Sequence, residues 1–82
     1  MAEPNKEQLL AALKSAASSH HDYQTNYLSG EHDAQWPGWY AAYVLGRVGD
    51  FAAPSHLAAW LEAVDGEDWS DAAADSVLAR LD

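Results

Sequence analysis

From Asn5 to Leu28 the apolar residues of this chain return with a helical period. Wound at about 100° per residue, Leu9, Leu13, Ala16, His20, Tyr23 and Tyr27 fall within one sector, flanked by Leu10, Ala17 and Leu28. Lys6, Glu7, Lys14, Asp22 and Thr25 lie off that stripe. The pattern predicts an amphipathic first helix over about 5–28. Asn5 suits its N-cap, and Gln8 three residues later completes a form of the capping box. Gly30 is a natural stop.

A second stretch, Trp36 to Arg47 (WPGWYAAYVLGR), holds two of the four Trp, two of the four Tyr and one of only four basic residues. Pro37 is tolerated at a first helical position, where its missing N–H is not needed, so a helix is expected over about 37–48. Trp36, Trp39, Tyr40, Tyr43 and Arg47 fall in one sector of it, while Ala41, Leu45 and Val48 cover much of the other side. So little of this helix is polar that it is expected in the middle of the fold, with its large rings serving as core. Gly49 is expected to end it in a left-handed turn.

Beyond Asp50–Pro54, in which Phe51 is expected to tuck into the core, Ser55 reads as the N-cap of a third helix. Leu57, Trp60, Leu61 and Val64 then follow at i, i+3, i+4 and i+7, giving about 56–64, with Asp65 and Gly66 as the stop. Ser70 reads as the cap of a fourth helix over about 71–81, Trp69 and Ala74 forming a weak hydrophobic staple. Ala74, Val77, Leu78 and Leu81 form its apolar face. There is no β-branched run of period two and no internal repeat, and Ala is abundant while Val, Ile and Thr are scarce. The expectation is one all-α domain, residues 1–82, a compact array of about four helices around the central aromatic one.

Charge narrows the function. Thirteen acidic residues face four basic ones, a formal net charge of −9. Affinity for nucleic acid comes largely from Lys and Arg neutralising phosphates, so this balance argues against a DNA- or RNA-binding role. Residues 62–82 alone carry Glu62, Asp65, Glu67, Asp68, Asp71, Asp75 and Asp82 against Arg80. Such a face is solubilising, or it suits a basic protein partner. The absence of Cys, of a leader-like start and of a membrane-length apolar run suggests a cytoplasmic protein with no membrane association.

The candidate chemistry is sparse. A metal site would recruit His20, His21, Asp22, Glu31, His32, Asp33 and His56, but helical ligand pairs lie three or four positions apart, and the adjacent His20 and His21 diverge by about 100°. No metal or cofactor is expected. His20, on the apolar stripe, is either a core histidine bonded to a tyrosine hydroxyl or backbone carbonyl, or an imidazole facing an aromatic groove. Arg47 is either held in an ion pair, with Asp50 or an acid of the first helix, or stacked on a ring, or free to clamp an anion. No nucleophile elbow, paired-carboxylate motif or Gly-rich phosphate loop occurs, so no enzyme activity is expected.

The run H-H-x-Y (His20 to Tyr23), followed by D-x-x-W-P-x-W-Y-A-x-Y (Asp33 to Tyr43), resembles a pattern of short bacterial helical domains. It covers about a third of the chain and implies a helical fold, with no activity, cofactor or functional residue attached to it. The leading expectation is a non-enzymatic protein-interaction or small regulatory domain, with a basic partner or a second copy of itself. Trp, Tyr and Arg dominate interface energetics, and Trp69, in an acidic loop, is the expected interface residue. The alternative is a small-molecule or anion-binding accessory domain using His20, Tyr27, Trp39, Tyr43 and Arg47.

Overall fold

The computed structural model describes residues 4–30 and 33–81. Among them are four helices and no strand: α1 (Lys6–Tyr27), α2 (Trp36–Val48), α3 (Pro54–Glu62) and α4 (Trp69–Leu81). α1 begins as its residues dictate. The Asn5 side chain accepts from the Gln8 backbone N–H at 2.8 Å, and the Gln8 side chain accepts from the Asn5 N–H at 3.0 Å. Two of the donors that every helix start leaves unpaired are thereby satisfied reciprocally.

The other boundaries shift for local reasons. α2 starts one residue early, at Trp36, with Pro37 still inside its first turn. α3 starts at Pro54 rather than after a Ser55 cap; Ala53 is its N-cap, and no side chain bonds there. Proline's fixed φ suits a first helical turn better than a cap two residues later would. α3 also ends sooner, at Glu62. In α4 Ser70 lies within the helix, which Trp69 opens, so Ser70 is not its N-cap. Gly49 caps α2 at φ 117°, ψ 167°, an extended mirror conformation and not the left-handed helical turn expected; such backbone is essentially open to glycine alone.

The four helices close a ring. α1 lies beside α2 and α4, and α3 likewise beside α2 and α4, while the backbones of the diagonal pairs stay apart and α4 reaches α2 only through Trp69 among the ring contacts. α2 is thus one side of the ring and not its centre: Pro37, Ala41, Val44 and Leu45 face inward, while Gly38, Ala42 and Gly46 line an outward stripe.

The core differs from the one expected. Its fully buried large side chains are aliphatic: Leu9 and Leu13 of α1, Val44 of α2, Leu57 and Leu61 of α3, and Val77 of α4. Burying each is worth about 1.5–3 kcal/mol. Ala12, Ala41, Ala73 and Ala74 complete the same cluster. No aromatic side chain is fully buried; Trp36, Tyr40, Phe51, Trp60 and Trp69 pack half-buried against the outside of this core.

Candidate functional site

Seven of the rings outside the core, Tyr23, Tyr27, Trp36, Trp39, Tyr40, Tyr43 and Trp69, form one connected cluster around His20. α1 outruns the buried layer: its inward row of Leu9, Leu13, Ala16 and His20 continues into a half-buried Tyr23 and ends in Tyr27, which is 78% exposed. The connection then turns back, with Ser29 (φ 55°) and Gly30 (φ 80°) both at positive φ, and Asp33 organises the entry to α2. Its Oδ1 accepts from the Gln35 N–H at 2.9 Å and its carbonyl from the Trp36 N–H at 3.2 Å, a local Asx turn.

The other carboxylate oxygen of Asp33 meets His20. Nε2 and Oδ2 are 2.9 Å apart, and the His20 residue is only 5% exposed. The partner is therefore an aspartate, not the tyrosine hydroxyl or carbonyl expected of a core histidine. Tying one ring nitrogen to a carboxylate orients the imidazole. The ring sits among others, with its centroid 5.0 Å from that of Trp39, 5.3 Å from Tyr40 and 6.0 Å from Tyr23.

His20 lies where two groups of aromatic residues meet. On one side Trp36 and Tyr40 of α2 pack edge to face with each other at 5.3 Å, and Trp69 of α4 joins both at 5.6 Å. Trp69 is fixed by its indole N–H, which donates to the Val64 carbonyl at 3.0 Å across the α3–α4 connection. These three rings, with His20 and Gln24, line an open recess of about 290 Å³. On the other side is a ladder of roughly parallel rings: Tyr43 and Trp39 stack at 5.5 Å and 15°, Trp39 and Tyr23 at 6.1 Å and 28°, and Tyr27 follows Tyr23 at 5.7 Å.

Arg47 ends the ladder. Its guanidinium carbon lies 5.9 Å from the Tyr43 ring centroid, and Nη1 donates to the Tyr43 hydroxyl at 3.5 Å. Among the described residues it makes no ion pair, and the expected ring contact is formed. Arg80 likewise lies over Trp60, at 5.7 Å. Ser19 also donates to the Tyr43 hydroxyl, at 3.5 Å; this bond first, then the Arg47 charge, lowers the phenol below its ordinary value. Burial pushes the Tyr40 phenol the opposite way.

The expected five-residue set is thus divided. His20 faces both aromatic groups, Trp39, Tyr43 and Arg47 belong to the ladder, and Tyr27 stands out at its end. Trp36, Tyr40 and Gln24, absent from that set, line the recess. The signal for two of them was their i, i+4 spacing, which separates one row of α2 from the row of Trp39, Tyr43 and Arg47. Trp69 is half-buried and walls the recess; its other side faces a more polar hollow lined in part by Lys14, Glu67, Asp68 and Asp71.

Among the described residues no group of three or more His, Cys, Asp or Glu could hold a metal ion. Glu31 and His32, two of the candidate ligands, lie outside the described residues. No described helix is long and apolar enough to cross a membrane. The fold and site define an all-α four-helix domain with an aromatic recess beside a His–Asp pair. No protein-family model, curated protein or solved structure matches the chain.

Proposed function

We propose that this is a non-enzymatic binding domain for a basic protein partner, and that the recess between α1, α2 and α4 receives one side chain of that partner. The observation that carries the reading is the lining. Trp36, Tyr40 and Trp69 supply an apolar wall, His20 and Gln24 are the polar groups on it, and the chain around it has a net charge of −9. A recess of about 290 Å³ lies at the lower end of small-ligand sites and suits an anchoring side chain. Aromatic pockets of this kind are where interface energy concentrates. The surrounding negative field favours a cationic partner and speeds its approach.

The test is NMR of the four indole N–H groups during titration with short Lys- and Arg-containing peptides. Basic peptides are expected to shift the Trp36 and Trp69 signals and leave Trp60, outside the recess lining and under Arg80, unmoved; acidic peptides should shift none of them. Binding that moves Trp60 and spares Trp36 and Trp69 would discard the recess. Equal response to acidic peptides would discard the basic partner.

The small-molecule or anion-binding role is kept as a second reading, for the Tyr43–Arg47 end of the ladder. The Ser19 hydroxyl and the Arg47 guanidinium both point at one phenol there, and no carboxylate ties down the guanidinium among the described residues.

A further inference from the structure

The three rings of the recess are mutually perpendicular. The interplanar angles are 81° for Trp36 and Tyr40, 77° for Trp36 and Trp69, and 88° for Tyr40 and Trp69, with centroids 5.3 to 5.6 Å apart. A cation seated in the recess that these rings line would meet aromatic side chains from three directions, and cation–π attraction acts within ~6 Å of a ring centroid.

The recess offers little to a cation that must donate hydrogen bonds. A lysine ammonium brings three donors and an arginine guanidinium five. The polar side chains lining the recess are only His20 and Gln24, and Asp33, the carboxylate that meets His20 Nε2, also accepts from the Gln35 N–H. Donors in excess of what two side chains can accept would face aromatic walls, at a cost that offsets the attraction of the rings. A methylated ammonium has few or no such donors and requires only ring faces and a negative surrounding field. The chain's net charge of −9 supplies that field.

Resting on the binding reading above, we propose that the group received by Trp36, Tyr40 and Trp69 is a methylated ammonium, carried on a lysine side chain of the basic partner. Charge and shape act together in this assignment. The rings supply the apolar walls, while the acidic chain draws the cation in and rejects anions.

The experiment is an indole N–H NMR titration of the full chain with five probes: tetramethylammonium, choline, its neutral isostere 3,3-dimethylbutan-1-ol, and one basic peptide carrying either trimethyl-lysine or unmodified lysine. The Trp36 and Trp69 signals are expected to respond to tetramethylammonium and choline at least about tenfold more tightly than to the neutral alcohol. The trimethyl-lysine peptide should bind more tightly than its unmodified twin and more tightly than choline. Trp69→Leu should abolish these responses, and Trp36→Phe, a milder change, should weaken them while circular dichroism reports an unchanged fold.

Equal response to alcohol and cation would overturn the charge recognition. Choline binding as tightly as the modified peptide would overturn the peptide as source. If unmodified basic peptides bind in the recess and methylated ones do not, this inference fails and the binding reading stands; if no basic probe of either kind moves Trp36 or Trp69, both fail.

Discussion

His20 Nε2 and Asp33 Oδ2, 13 residues apart in sequence and 2.9 Å apart in space, tie the far part of α1 to the entry of α2. The two side chains are 6% and 13% exposed, so the contact is sheltered from water. Asp33→Ala removes this bond and the Asx-turn bond to Gln35 together. It is expected to cost about 1–3 kcal/mol in urea unfolding. In a His20→Leu background the same substitution should cost less, by a coupling of about 0.5–3 kcal/mol. Equal costs in the two backgrounds would mean that Asp33 acts through the turn alone.

Leu57→Ala is expected to cost about 2–5 kcal/mol, since the side chain is fully buried and its loss leaves a cavity. Trp39→Ala should cost less than the ~3–5 kcal/mol typical of a buried aromatic, because the ring is half-buried and lies outside the core cluster. Urea midpoints for the two variants check the order; the reverse order would return the aromatic row to the core.

Gly46→Ala is expected to stabilise the domain by about 0.5–1 kcal/mol, the usual helix-interior difference between the two residues. A β-carbon at Gly46 meets nothing within 4 Å, and the same holds at Gly38. Thermal unfolding of the variant gives the sign. Destabilisation would show that this outward face of α2 is covered.

The phenols should ionise in a set order, Tyr43 before Tyr40, read from phenolate absorbance in wild type, Tyr43→Phe and Tyr40→Phe. Tyr43 is lowered from 10.0 by the Ser19 bond and then Arg47, whereas Tyr40 is raised from 10.0 by burial. The sign for stability follows from linkage. The contribution of neutral Tyr40 is fully present below pH 10 and is lost as pH rises through its higher folded value. Tyr40→Phe should therefore weaken the alkaline loss of stability. An unchanged alkaline transition would count against a strained phenolate at that position.

The helices were legible because their signals are local. The row from Leu9 to His20 and the Asn5–Gln8 box each need only neighbours within a turn or two. Ser55 and Ser70 misled because a good capping residue competes with other starts, and Pro54 and Trp69 open their helices first. The site was only half legible. Residues of α2 could be placed in one sector, but the division of that sector into a Trp36–Tyr40 row and a Trp39–Tyr43–Arg47 row depends on where α4 passes. Trp69 reaches Trp36 across 33 positions of chain, and Asp33 reaches His20 by the path of a loop; no periodicity encodes either. The aromatic row was mistaken for core because ring size suggests burial, whereas the buried cluster is made of Leu, Val and Ala side chains with the rings packed outside it.

The placement of every indole outside the aliphatic core makes the tryptophans reporters on the periphery of this domain. Their fluorescence follows the packing of α4 against α2 and of Arg80 over Trp60, while far-ultraviolet dichroism follows the helices themselves. Loosening of the rim alone would change emission and leave helicity intact, and two spectroscopic transitions would then separate without any intermediate in the core.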